Sequence, residues 1–74
     1  MTRNNFVVVF NALVKRQPFR PFTLELVNGS RLEVNPPEAV TLHEAFLVYS
    51  SSRGIHSVTD YESVVRLIDA TGTV

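Results

Sequence analysis

The sequence predicts a mainly β domain with an N-terminal α-helix, folded as a small, strongly bent antiparallel sheet or barrel with the helix packed across it. Three observations predict it. Phe6, Val9, Phe10 and Leu13 fall at i, i+3, i+4 and i+7, the apolar stripe of a helix. From Phe22 to Val34 apolar and polar residues alternate with period two about Asn28-Gly29, the signal of a half-buried hairpin. Beyond it, short apolar runs are separated by turn chemistry: Asn35-Pro36-Pro37, His43-Glu44-Ala45 and Ser51-Ser52-Arg53-Gly54.

The first element is expected over residues 5–16. Asn4 or Asn5 can cap its start, Lys15 and Arg16 suit the negative C-terminal end, and Pro18 stops it. Val7-Val8-Val9 favours a strand instead, and the capping residues decide for a helix. Gln17-Pro18-Phe19-Arg20-Pro21 then forms a stiff connector, because each proline fixes its own φ and restricts its predecessor.

The hairpin register follows from the side chains. A two-residue Asn28-Gly29 loop would oppose Leu26 to Arg31 and Leu24 to Glu33, mixing charges into the apolar face. A three-residue loop, Val27-Asn28-Gly29, with Gly29 left-handed as a bulge, opposes Leu24 to Leu32 and Phe22 to Val34 inside, and Glu25 to Arg31 outside. The second register is the expected one, with Asn28 and Gly29 as its structural turn residues.

After the Pro-Pro turn, strands are expected at Ala39 to His43, with Val40 and Leu42 on one face, at Phe46 to Ser50, and at Ile55 to Val58. The run Phe46-Leu47-Val48-Tyr49 is apolar on both faces, which suits a central or interface strand. The last segment admits two readings. Thr59-Asp60-Tyr61-Glu62 matches a capping box, and Tyr61, Val64, Val65 and Ile68 make a helical stripe. The rival is a one-turn helix at Asp60 to Ser63 followed by a strand from Val64 to Asp69, favoured by the β-branched residues. Periodicity alone leans to the helix. The sequence shows no internal repeat.

Composition bounds the function. With 74 residues the chain is expected to form a single small domain (residues 1–74), with a modest core and an oligomer as one natural supplement. Seven Lys and Arg balance seven Asp and Glu, which counts against non-specific nucleic-acid binding. There is no cysteine, so disulfides and thiolate metal sites are excluded. No apolar run approaches the ~20 residues that span a bilayer. Arg3 with Phe6 to Val14 faintly resembles a signal peptide, but Lys15-Arg16 stands where a cleavage site belongs, so no membrane and a cytoplasmic location are expected.

Candidate chemistry is sparse. Lys15, Arg16 and Arg20 interleave with Phe19 and Phe22, the composition of a nucleic-acid or partner patch in which rings stack and cations track phosphates. The same cations would complement the helix end, and the same rings belong in a core. His43 and His56 fall on different strands with no thiolate or paired carboxylate at ligand spacing, so no metal and no cofactor are expected. Ser50 or Ser57 can be written as a triad with His56 and Asp60, but no nucleophile elbow or oxyanion hole accompanies them, and no enzyme is expected. Asn28-Gly29-Ser30 matches a glycosylation sequon because the turn requires Asn-Gly.

Arg16-Gln17-Pro18-Phe19-Arg20-Pro21-Phe22, the Asn28-Gly29 hairpin and the Pro37-Glu38 turn resemble a group of short uncharacterised bacterial proteins with an R-Q-P-F-x-P-F opening. Val58 and Asp60, then Val65 and Ile68, are similar to that group's closing run, which implies a short turn and strand at the C-terminal segment. Phe22-x-Leu24-x-Leu26-Val27-Asn28-Gly29-x-x-Leu32 is similar to the first motif of the Sm-like (Hfq-type) RNA-binding fold. That likeness implies an SH3/Sm-like barrel, with the sheet over residues 22–69, assembling as a ring. Asn35-Pro36-Pro37 replaces that family's glycine, and Arg53-Gly54 only echoes its second motif. Val34 to His43 is locally similar to the carbon-storage-regulator RNA-binding family, but Glu44 stands where that family has arginine. The expected function is a non-enzymatic interaction or self-assembly module forming a homo-oligomer through exposed strand edges. The alternative is an Sm-like ring that binds RNA.

Overall fold

Over residues 1–69, which the computed structural model describes, one helix precedes six strands. They are α1 (Arg3–Val14), β1 (Phe22–Leu26), β2 (Arg31–Val34), β3 (Val40–Leu42), β4 (Phe46–Ser50), β5 (His56–Asp60) and β6 (Val64–Ile68). Two 3₁₀ turns, Pro37–Ala39 and Tyr61–Ser63, lead into β3 and β6. The fold is mainly β, in two three-stranded antiparallel sheets ordered β2-β1-β6 and β3-β4-β5. Of the two expected forms, bent sheet and closed barrel, the chain takes the open one.

Helix α1 starts and ends two residues before the expected 5–16. Thr2, not Asn4 or Asn5, is its N-cap: the Thr2 Oγ1 accepts the Asn5 N–H at 3.2 Å. A helix needs one oxygen ahead of its first turn, and Thr2, extended at φ −67°, supplies it before either asparagine can. Lys15 is the C-cap, its N–H reaching the Asn11 carbonyl at 3.0 Å. The buried face is Phe6 and Phe10, with Leu13 and Val14 partly covered, while Val9 sits at the rim of the stripe, 39% exposed. The peptide bonds preceding Pro18 and Pro36 are cis.

The first hairpin has the three-residue loop. Phe22 pairs with Val34, Leu24 with Leu32 and Glu25 with Arg31, and Gly29 lies at φ 87°. The Leu26 N–H bonds Ser30 O at 2.8 Å, the Gly29 N–H bonds Leu26 O at 2.9 Å, and the Asn28 side chain accepts the Ser30 N–H at 2.9 Å. The second hairpin repeats this turn. The Ser51 N–H bonds Ile55 O at 2.8 Å, the Gly54 N–H bonds Ser51 O at 3.0 Å, and Gly54 lies at φ 83°. Here the Ser51 hydroxyl takes the local N–H groups, of Arg53 and Ile55.

The remaining boundaries shift for local reasons. Ala39 belongs to the 3₁₀ turn and His43 closes the reversal by bonding Phe46 O, so β3 is Val40–Leu42 rather than Ala39 to His43. Ile55 closes the second turn, and pairing then runs on to Asp60 opposite Phe46, so β5 is His56–Asp60 rather than Ile55 to Val58. The C-terminal segment is a 3₁₀ turn and a strand, β6, pairing with β1 through Leu24–Leu67 and Glu25–Arg66. Its helical stripe was an accident of spacing: Tyr61 and Val64 are buried but Val65 is 44% exposed.

A strand exchange joins the sheets. Each half of the chain is a hairpin, a 3₁₀ turn and a third strand, and each third strand pairs with the central strand of the other half. The core sits where α1 crosses this exchange. Phe6 stacks on Phe10 at 5.5 Å and meets Tyr61 at 5.3 Å, and Phe10 meets Phe22 edge-on at 5.7 Å. Leu24 and Val34 from the first sheet, Val40 and Leu47 from the second, and Val64 complete it. Burying each large side chain contributes roughly 1.5–3 kcal/mol. Two polar links pin the layers together: Tyr49 donates its hydroxyl to Glu33 O at 2.8 Å, and the Met1 ammonium donates to Val64 O at 2.9 Å.

Candidate interaction surface

In the basic-aromatic connector Arg16 and Phe19 make contacts within the chain. Arg16 directs all three guanidinium nitrogens into the chain: Nη1 to the Asp69 carboxylate, Nη2 to Arg20 O at 3.1 Å and Nε to Leu13 O at 3.3 Å. Phe19 is partly buried and meets Phe22 edge-on at 6.1 Å. Lys15 and Arg20 remain exposed. Arg16 is thus a clamp that ties the helix end and connector to the end of β6, satisfying a helix carbonyl on the way.

The histidines lie apart. His43 stacks on Phe46 at 4.9 Å at one end of β4, and His56 pairs with Ser50 at the other. Among the described residues no group of three His, Cys, Asp or Glu side chains is placed to hold a metal ion. Two members of the written triad do meet, Ser50 Oγ and His56 Nδ1, at 2.8 Å. Asp60 ends the same strand that His56 begins, roughly 13 Å along it at ~3.3 Å per residue, and cannot orient that imidazole.

Sequence reasoning missed two clefts that only the fold creates. One, of about 310 Å³, is bounded by Arg3, Glu44, Asp60, Tyr61 and Glu62. In it Arg3 lies 5.9 Å over the Tyr61 ring, and its Nε donates to His43 O at 3.4 Å. The other, of about 300 Å³, separates Val58, Thr59 and Asp60 from the first hairpin's turn at Leu26, Val27 and Asn28.

That second cleft flanks the most open element of the molecule. Alternation along β4 turns Leu47 inward and leaves Phe46, Val48 and Ser50 on the outer face, opposite Asp60, Val58 and His56 of β5. Val48 and Val58 form a cross-strand apolar pair there, and Val58 is 69% exposed. The backbone completes the picture. Since the Ser51 N–H bonds Ile55 O, the alternating antiparallel pattern makes Tyr49–Ser57 and Leu47–Thr59 the hydrogen-bonded pairs. The N–H and C=O groups of His56, Val58 and Asp60 therefore point away from β4. Among the described residues no strand pairs with that edge.

Each of the other edges is short or has one carbonyl already bonded. The outward Glu33 O of β2 accepts from Tyr49, Val64 O of β6 accepts from Met1, and β3 is three residues long. Comparison with protein-family models, curated proteins and solved structures finds no match.

Proposed function

We propose that the chain is a small non-enzymatic interaction module that works by strand pairing and associates with copies of itself. The carrying observation is the free β5 edge, with its outward backbone groups at His56, Val58 and Asp60 and the exposed Val58 beside Val48. An edge of this kind is a template for another strand, and main-chain hydrogen bonds supply the affinity. A Ser50–His56 pair that Asp60, four residues along β5, is too far away to orient supports the non-enzymatic part of the reading. The RNA-binding ring draws less support, because Arg16 is held by Asp69 and Phe19 rests against Phe22.

Light scattering coupled to size exclusion, over a wide range of protein concentration, tests this. The expected result is a mass that rises above the 8.3 kDa of one chain as concentration increases. A constant monomer mass at hundreds of micromolar would refute self-association.

A further inference from the structure

Resting on that reading, the geometry points to one partner and one register for the β5 edge: a second copy of this chain, paired antiparallel through β5 across a two-fold axis at Val58. The sequence of the strand, His56-Ser57-Val58-Thr59-Asp60, is self-complementary about its centre. Antiparallel pairing with Val58 on the axis opposes Val58 to the partner's Val58, and His56 to the partner's Asp60 on both sides. An imidazole with a donor N–H then meets a carboxylate at each end, and an apolar pair sits between them. Ser50 already occupies Nδ1 of His56, which leaves Nε2 for the carboxylate.

The backbone selects the same register. His56, Val58 and Asp60 are the residues whose N–H and C=O groups face outward, and this alignment matches each outward residue with another outward residue. Shifting it by one step places outward groups opposite residues already bonded to β4. Shifting by two keeps the parity but removes the His56–Asp60 pairing and shortens the ladder. The isologous contact closes on itself, so it yields a dimer with one six-stranded sheet rather than a filament. Val48 and Val58 from both copies form a continuous apolar strip on its outer face. A cleft of about 300 Å³ lies between Val58–Asp60 and the first hairpin's turn. The strand has no lysine, proline or bulge, three of the devices that guard an edge.

The test uses the full chain. Val58→Lys places like charges directly opposite one another on the axis, while in the monomer the side chain is 69% exposed, so the fold is kept. It is expected to raise the dimer dissociation constant about tenfold or more, with an unchanged circular dichroism spectrum. His56→Asp and Asp60→Lys should each weaken the dimer, and the double variant should restore it, because only this register opposes the two positions. The cysteine-free sequence allows a direct check. Opposed Cα atoms in a hydrogen-bonded pair lie about 5.5 Å apart, within disulfide reach. Val58→Cys treated with diamide should therefore form a covalent dimer, and Val8→Cys, 63% exposed on α1, should not. A wild-type chain that associates while Val58→Lys and the single changes His56→Asp and Asp60→Lys all leave its mass unchanged overturns this register and leaves self-association standing. A wild-type chain that stays monomeric throughout overturns both.

Discussion

Replacing a turn glycine separates the backbone cost of the hairpins from every other contribution to stability. Gly29 and Gly54 sit at φ 87° and 83°, and a Cβ built on either meets no atom within 4 Å. Steric conflict with the surroundings is therefore absent, and the cost is that of holding an L-residue in the left-handed region, roughly 1–2 kcal/mol. Alanine also narrows the unfolded ensemble, which offsets about 0.4–1 kcal/mol of that. The net for Gly29→Ala is a destabilisation of roughly 0.5–1.5 kcal/mol. Valine, stiffened by its branched Cβ, should exceed ~1 kcal/mol, and asparagine should cost least. At ~4–8 °C per kcal/mol for a domain of this size, Gly29→Val should melt several degrees below wild type in circular dichroism at low protein concentration. Because the two turns share one backbone, Gly54→Val should cost about the same, and the double variant should show near-additive losses. An unchanged melting curve for Gly29→Val would refute the register argument. Unequal costs at the two glycines would refute the equivalence of the turns.

Other perturbations have equally definite outcomes. Phe6→Ala removes a ring that is 0% exposed and contacts both Phe10 and Tyr61; a loss of about 3–5 kcal/mol should leave the chain largely unfolded by circular dichroism. Tyr49→Phe removes the hydroxyl bond to Glu33 O that ties the two sheets, and urea titration should report a loss of about 1 kcal/mol. Glu25→Gln weakens contacts with Arg66 at 2.7 Å and Arg31 at 3.4 Å across three strands. Both arginine side chains are 65% exposed, so solvent screening limits the effect to about 0.2–1 kcal/mol, shrinking further in high salt. Fluorescence anisotropy of short U-rich or A-rich RNA should stay flat at micromolar protein, since Arg16 is held by Asp69 and Phe19 by Phe22.

What could be read from residues alone followed the range of the interactions involved. The hairpin register was legible because opposed side chains must agree across a single short loop, so Leu24, Leu32, Glu25 and Arg31 left one solution. The helix was legible from Phe6, Phe10 and Leu13, and its start was missed because Thr2, a weaker cap by type than asparagine, takes that place. Tyr61 to Ile68 was harder, since Tyr61, Val64, Val65 and Ile68 satisfy a helical period while their burial is decided by pairing with β1. The clamp made by Arg16 was invisible for the same reason, as Asp69 reaches it only after β6 has crossed the molecule. The repeat of the turn was hidden because backbone conformation recurs while side chains do not: Val27-Asn28-Gly29 and Ser52-Arg53-Gly54 share only the glycine that the left-handed position requires.

The strand exchange turns one molecule into its own control for the edge argument. β6 returns to β1 and β3 runs to β4, so the second strand of each hairpin, β2 and β5, is left at an edge. The two hold equivalent places and differ in chemistry. In β2 the outward-facing positions are Arg31 and Glu33, both exposed, and Glu33 O is covered by the Tyr49 hydroxyl. Charges at alternate positions and an occupied carbonyl make β2 a poor template. In β5 the central outward position is Val58, no described residue bonds the outward carbonyls, and the flanking groups are a histidine and a carboxylate that complement each other in a copy of the same strand. Giving β5 the chemistry of β2, with Val58→Glu, should therefore abolish its pairing, and the matching removal of charge from β2, Glu33→Val, should not create a new one while Tyr49 still covers the carbonyl.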